Sequence, residues 1–416
     1  MNIYLVGGAV RDQLLGIKGS DRDYCVTGAT PQEMLDLGFH CVGQDFPVFL
    51  HPKTGEEYAL ARTERKKGHG YKGFECHFSP EVTLEEDLVR RDLTINSIAQ
   101  DANGQLYDPY GGVADLEQRI LRHTSCAFVE DPLRVLRLAR FYARFAYLGF
   151  KVAPETQELC AQIAASGELE HLTPERIWTE TEKALNTKNP ECYFLFLKET
   201  EALKHIFPQL DALSLVPEDP KYHPEGNVFA HSILTLKEVA KLTTRPDVRL
   251  AMLLHDLGKL ETKVDAKPKP HFGHRNCATA HIKALANQIR MPKAYEKLAL
   301  AIAFSHRYVQ LLTAEPQELE EIFTKCGGYQ EPFRIALLTL CLVADYRGTL
   351  APKPQCFMAP YFMQYIFDRA LKIKAEQAIN EGYKGPDIGK RMTELRREAI
   401  AKAQHELIKI YGHTVM

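Results

Sequence analysis

The pattern of apolar residues changes at Asp131-Pro132, and this change constrains the fold more than any other feature of the chain. Before it, short apolar runs are cut by glycine and proline. Ile3–Val6 ends at Gly7-Gly8, Tyr24-Cys25-Val26 stands alone, and Pro47–His51 and Glu57–Ala61 flank Pro52-Lys53-Thr54-Gly55. Gln105–Tyr107 precedes Asp108-Pro109-Tyr110-Gly111-Gly112. Runs of this length between turn formers read as strands, the middle two as a hairpin. Helices are expected over Ala9–Leu15 and Leu88–Ala99, and a mobile basic loop over Lys66–Gly73. After Pro132, which suits the first turn of a helix with acidic residues ahead of it, apolar residues recur every three or four positions with few strand signals. The expected architecture is α+β: a small mixed-sheet head followed by an all-α body. Breaks at Val216–Pro224, Lys267–Pro270 and Ala351–Pro354 suggest a division into 1–140, 141–222, 223–350 and 351–416.

A length of 416 residues admits this many parts, at about 150 residues per domain. The charge sum, 52 − 54 = −2, excludes a protein that coats nucleic acid by bulk charge, so basic residues must act in patches. The ten cysteines are never closer than 15 positions, which excludes C-x-x-C and zinc-knuckle spacings and fits reduced thiols in the cytosol. The first residues lack the basic region of a signal peptide. The longest near-apolar run, Ile335–Ala344, is half of what a membrane crossing needs. A cytoplasmic protein without a membrane partner is expected, as a monomer or homodimer.

Gly7-Gly8 after a strand lets the backbone approach a ligand, and the following helix start would seat a phosphate, with Arg11 to clamp it. No Walker A loop is present. If Asp21 and Asp23 lie on one strand, their carboxylates share a face about 7 Å apart. Such a pair suits Mg²⁺ together with substrate phosphates. Arg134, Arg137, Arg140 and Arg144 fall within an arc of about 120° on a helix, with no acid between Arg134 and Lys151. The stripe is read as a phosphate contact, against the alternative of ion pairs with acids elsewhere. Arg65–Lys72 forms a second basic patch, equally an ordinary exposed loop.

Gly7-Gly8-Ala9-Val10-Arg11-Asp12 followed by Asp21-x-Asp23 resembles the head of template-independent nucleotidyltransferases of the DNA polymerase beta superfamily, class II, the group of CCA-adding tRNA nucleotidyltransferases and bacterial poly(A) polymerases. Arg90-Arg91-Asp92-x-x-x-Asn96 is similar to the group's third motif, with Asp92 and Asn96 expected on one helix face. Asp108-Pro109-Tyr110-Gly111 with Asp115 resembles its linking turn, and Glu130-Asp131-x-x-Arg134 its base-reading motif. The resemblance implies that Asp21 and Asp23 are catalytic and hold Mg²⁺. It implies that Gly8, Arg11, Arg91, Arg137 and Arg140 hold CTP or ATP, and that Asp131 and Arg134 imitate a Watson–Crick edge. Glu57 is the candidate for a third carboxylate.

Within an apolar run, Leu253-Leu254-His255-Asp256-Leu257-Gly258-Lys259 places a polar pair that needs a partner to offset desolvation. With His231 and Asp345 it forms an H…HD…D order that resembles the HD phosphohydrolase superfamily. That implies a divalent metal (Mg²⁺, Ni²⁺ or Mn²⁺) that activates water against a phosphoester. His274, His281 and His306 are further candidates that could join this site or lie near it, and His271, with His274 in the same Pro/Gly-rich stretch, is a weaker one. Together the two resemblances match long bacterial CCA-adding enzymes of the multifunctional type. They imply addition and repair of the tRNA 3′-terminal CCA with release of pyrophosphate, plus 2′,3′-cyclic phosphodiesterase, 2′-nucleotidase and phosphatase activity. The alternatives are a bacterial poly(A) polymerase and a non-catalytic, nucleotide-sensing RNA-binding protein.

Overall fold

The computed structural model describes residues 1–19, 21–42, 48–66, 74–262, 273–306, 311–351 and 357–411. The expected basic loop therefore lies almost wholly outside the described residues, as do Lys267–Pro270 and Pro352–Pro354. The chain divides into two compact units, Met1–Ile206 and Phe207–Met416.

The first unit begins with β1 (Asn2–Val6), α1 (Gly8–Leu14), β2 (Asp23–Thr27), α2 (Pro31–Asp36), β3 (His40–Cys41), β4 (Val48–Leu50) and β5 (Glu57–Leu60). A hairpin of β6 (Arg62–Lys66) and β7 (Phe74–Phe78) follows, then α3 (Leu84–Val89), β8 (Ala99–Gln100), β9 (Leu106–Tyr107), α4 (Gly112–Gln118) and β10 (Ile120–Leu121). Thereafter come α5 (Leu133–Phe145), β11 (Lys151–Val152), α6 (Pro154–Ala165), α7 (Pro174–Leu185), α8 (Glu191–Glu199) and α9 (Leu203–Ile206). Seven strands form one mixed sheet in the order β3-β4-β5-β2-β1-β8-β9, with β2 and β5 parallel. Alternation along the strands gives the sheet two apolar faces. Val6, Cys25 and Ala99 pack with Leu88 on one; Val26, Phe49, Tyr58 and Leu60 pack with Met34 on the other. The hairpin expected around Pro52–Gly55 forms, with Phe49 opposite Tyr58 and Leu50 opposite Glu57.

The expected helix over Leu88–Ala99 does not form. Helix α3 ends at Val89, residues Thr94–Asn96 make a single 3₁₀ turn, and Ala99 already belongs to β8. The backbone in between bonds to another segment: Thr94 N–H donates to the Arg122 carbonyl at 2.9 Å and Thr124 N–H to that of Asp92 at 3.3 Å. Tertiary hydrogen bonds replace the helical ones, which a local pattern cannot reveal.

The second unit is helical: α10 (Pro208–Ala212), α11 (Val228–Leu242), α12 (Pro246–Leu254), α13 (His274–Gln288), α14 (Lys293–Ser305), α15 (Pro316–Lys325), α16 (Phe333–Gly348), α17 (Ala359–Leu371), α18 (Ala375–Asn380) and α19 (Pro386–Tyr411). A mixed-sheet head followed by a helical body is the expected architecture. Among the described residues, no helix is long and apolar enough to cross a membrane.

Candidate functional site

In β2 and β5, parallel pairing sets Asp23 beside Glu57 and Tyr24 beside Tyr58. Because neighbouring residues point to opposite faces, the stack of Tyr24 on Tyr58, with centroids 4.4 Å apart, pins on one face the register that aligns two carboxylates on the other. Asp23 is held above the ordinary carboxylate range by burial and then by Glu57 and Asp21, against the pull of Arg91. Two carboxylates side by side, with oxygen as the only donor atoms, fit a hard divalent cation. Asp21 differs from expectation: β2 starts at Asp23, so Asp21 sits exposed ahead of the strand and influences Asp23 through charge.

Asp23 and Glu57 open onto a cleft of about 640 Å³ that also gathers Gly8, Arg11, Arg91, Asp92, Asn96, Asp131, Arg134, Arg137 and Arg140. Its lining carries nine arginines against four carboxylates, and with Asp12, Asp87 and Glu180, which pair with these arginines, the balance is 9 − 7 = +2, which suits a polyphosphate. Gly7 makes the close approach of one of these possible. Its φ of +67° is reserved for glycine, and a Cβ there would lie 2.9 Å from Arg91 Nη1. The helix behind it, α1, has only seven residues, so arginine charge rather than a helix terminus dominates the cleft.

The arginine stripe on α5 faces the cleft, but its members are partnered. Arg137 holds Asp92 at 2.6 Å, Arg140 holds Glu180 at 2.5 Å and Arg144 holds Asp12 at 2.7 Å. Arg134 donates to the carbonyls of Ala127 and Arg90. The ion-paired alternative thus describes this helix: three acids distant in sequence meet its arginine stripe. Two of these pairs, those of Arg137 and Arg144, join into one chain of bonds. Arg11 donates to Asp12 at 2.8 Å and to Asn96 at 2.5 Å, and Asn96 donates to Asp92 at 2.8 Å. Asp92 and Asn96 do meet, across a 3₁₀ turn instead of a helix. Burial opposes the charge on Asp92, yet Arg137 and Asn96 keep it strongly acidic. Asp131 caps Leu133 N–H at 3.1 Å and accepts from Arg176 at 2.8 Å.

Sequence reasoning missed Asp87, Glu180 and Arg176. Asp87 is buried, pairs with Arg90, and holds Arg91 at 3.0 Å. Glu180 had a signal: Ile177, Thr181 and Ala184 form the buried stripe of α7, and Glu180 lies within it. Arg176, at the start of the same helix, had none.

In the second unit His231 on α11, His255-Asp256 after α12, His274 on α13, His306 after α14 and Asp345 on α16 converge. His231 Nε2 lies 2.9 Å from Asp345 Oδ1, and His255 Nε2 lies 3.2 Å from Asp256 Oδ2 and 3.8 Å from Asp345. His274 and His306 approach the other oxygen of Asp256, at 3.6 and 3.4 Å. The far nitrogens are tied back: His255 Nδ1 to the Met252 carbonyl at 2.5 Å, His306 Nδ1 to that of Ala303 at 3.0 Å and His231 Nδ1 to Glu225 at 2.9 Å. This pattern fixes Nε2 as the coordinating atom. Among the described residues, His255 Nε2 and Asp256 Oδ1 are buried without a hydrogen bond, a costly state that a cation relieves. The donor set fits a divalent metal. Gly258 admits the backbone of α13: a Cβ there would lie 1.9 Å from the His274 carbonyl oxygen. His281 instead pairs with Glu261 at 2.9 Å, and His271 lies outside the described residues.

Residues 3–122 match the poly A polymerase head domain family, and residues 149–213 match the family described as the probable RNA and SrmB-binding site of polymerase A. A CCA-adding enzyme in complex with ATP has the same fold, with a TM-score of 0.64 at 22% identity over 99% of this chain and 90% of that one. A complex of a CCA-adding enzyme with CTP gives 0.62 at 22% identity, over 99% and 92%. The fold and the cleft define the class, a polymerase-beta-like nucleotidyltransferase. The multifunctional CCA protein of Mannheimia succiniciproducens is 47% identical over 414 residues, 98% of this chain and 99% of the relative. The chain belongs to the multifunctional CCA protein family.

Proposed function

We propose that the chain adds and repairs the 3′-terminal CCA of tRNA, using CTP and ATP and releasing pyrophosphate. The observation that carries this is the aligned Asp23 and Glu57 facing an arginine-rich cleft. The RNA 3′-hydroxyl attacks the α-phosphorus, and pyrophosphate leaves toward the arginines. Asp21 and Asp23, with Glu57 as a third carboxylate, would hold Mg²⁺, which lowers the hydroxyl pKa and offsets developing charge. Gly8, Arg11, Arg91, Arg137 and Arg140 hold the nucleotide, while Asp131 and Arg134 present the edge that selects its base. The ion-pair chain through Asp12, Asn96 and Asp92 holds these arginines in place before substrate arrives, which reduces the ordering cost of binding. CCA-adding relatives complexed with ATP and with CTP support the choice of nucleotides. Incubating trimmed tRNA with each labelled NTP and sizing the product tests the reading. CMP and AMP incorporation restoring CCA is expected, and its loss in Asp21→Ala and Asp23→Ala. A long A-tail instead would indicate poly(A) synthesis.

The histidine cluster favours a second activity, that of an HD-type phosphohydrolase acting on 2′,3′-cyclic phosphates, 2′-nucleotides and phosphomonoesters. His231, His255, Asp256 and Asp345, with His274 and His306 beside them, would hold Mg²⁺, Ni²⁺ or Mn²⁺, which supplies activated water. His255→Ala is expected to abolish metal-dependent hydrolysis and spare nucleotide addition; absence of hydrolysis with all three metals would remove this activity. The proposed division of labour is a nucleotidyltransferase head over 1–140, an RNA-binding neck over 141–222, a hydrolase domain over 223–350 and a C-terminal helical region over 351–416.

A further inference from the structure

We infer that Glu225 is the positioning residue of the hydrolase centre, orienting the ligand His231 through its Nδ1; the inference rests on the metal-dependent reading of that centre. Glu225 precedes α11 by three residues and its side chain is almost fully buried, 2% exposed. Its Oε1 accepts from His231 Nδ1 and from His223 Nδ1, each at 2.9 Å. Its Oε2 accepts from the Leu350 backbone N–H at 3.2 Å. Both oxygens are thus committed to protein donors, in contrast to Asp256 Oδ1, which His274 and His306 approach without forming a hydrogen bond among the described residues. This separates Glu225 from the ligands and makes it a carboxylate behind a histidine. Such an outer carboxylate fixes the ring's tautomer and orientation and raises its basicity.

Glu225 also joins two parts of the centre. Its turn is fastened to the end of α16, where Thr349 Oγ1 donates to the Tyr222 carbonyl at 2.8 Å and Thr349 N–H to that of Asp345 at 3.3 Å. One buried side chain therefore sets His231 on α11 relative to Asp345 on α16. The H…HD…D order contains no trace of it.

The test uses the full-length protein with Ni²⁺ as the probe. Equilibrium dialysis measures its affinity for the wild type, Glu225→Gln and Glu225→Ala, while nitrogen NMR of the His231 ring reads the tautomer. An affinity loss of about 10- to 100-fold is expected, smaller for Gln, whose amide oxygen still accepts a hydrogen bond, than for Ala. In the metal-free alanine variant the neutral His231 ring should carry its proton on Nε2, facing Asp345, instead of on Nδ1, a change that a purely structural role would not produce. If Glu225→Ala fails to fold, Glu225→Gln still carries the test through affinity. Unchanged affinity and an unchanged tautomer in the variants, with wild type binding Ni²⁺, overturn the inference and leave the metal reading standing. Wild type that binds none of Ni²⁺, Mn²⁺ and Mg²⁺ overturns the metal reading, and the inference with it.

Discussion

Replacing Asp87 with asparagine tests whether a buried acid anchors the arginine wall of the nucleotide cleft. Burial disfavours the charged carboxyl, but Arg90 and Arg91 prevail and bring its pKa down to about 2 from an ordinary 3.8. The native carboxyl is the stronger acid, so the unfolded chain takes up the proton first as pH falls. The stabilisation is complete above about pH 5 and drains away as pH drops toward 2. A depression from 3.8 to about 2 corresponds to about 2 kcal/mol at pH 7 and about 1 kcal/mol at pH 3. Urea unfolding followed by tryptophan emission measures this in the first unit alone, because the single tryptophan, Trp178, is buried on α7. The stability gap between wild type and Asp87→Asn should shrink by about 1 kcal/mol between pH 7 and pH 3. A gap of constant size would refute the reasoning. Arg91 also loses its anchor, so the KM for CTP and ATP should rise in the same variant.

Gly7→Ala combines a strained φ with a contact on Arg91, and should destabilise the first unit by about 1–3 kcal/mol while raising nucleotide KM; unchanged KM in steady-state addition assays would count against the close approach. Gly258→Ala collides with the α13 backbone, so metal-dependent hydrolysis should be lost and thermal stability of the second unit reduced, with CMP addition retained; preserved hydrolysis would show that α13 need not approach so closely. Arg134→Ala should lose rate and discrimination against UTP and GTP in competition assays, because the arginine both lines the cleft and braces the Ala127 and Arg90 carbonyls. Chelation with EDTA should stop both activities, and Mg²⁺ should restore addition; addition that survives exhaustive chelation would contradict the role of the carboxylates.

The sequence by itself determined the order of the fold and the family to which the chain belongs. Glycine and proline cut the first third into strands, and a period of three to four carried the rest into helices, because these signals are local and repeat along the chain. Resemblance to known motifs also named residues that the structure gathers, most of the first set in the cleft and the H…HD…D set in the histidine cluster. Tertiary structure alone decided how the charges are used. It turned the α5 arginines from a free stripe into ion pairs with Asp12, Asp92 and Glu180, and ended α3 early, because their partners lie 40 or more residues away or, for the backbone, in a separate segment. It set Asp23 against Glu57 through a parallel register that no local pattern encodes. Glu225 shows a related limit: its bonds to His223 and His231 are local, but its second oxygen is committed only when the Leu350 N–H beyond α16 reaches it.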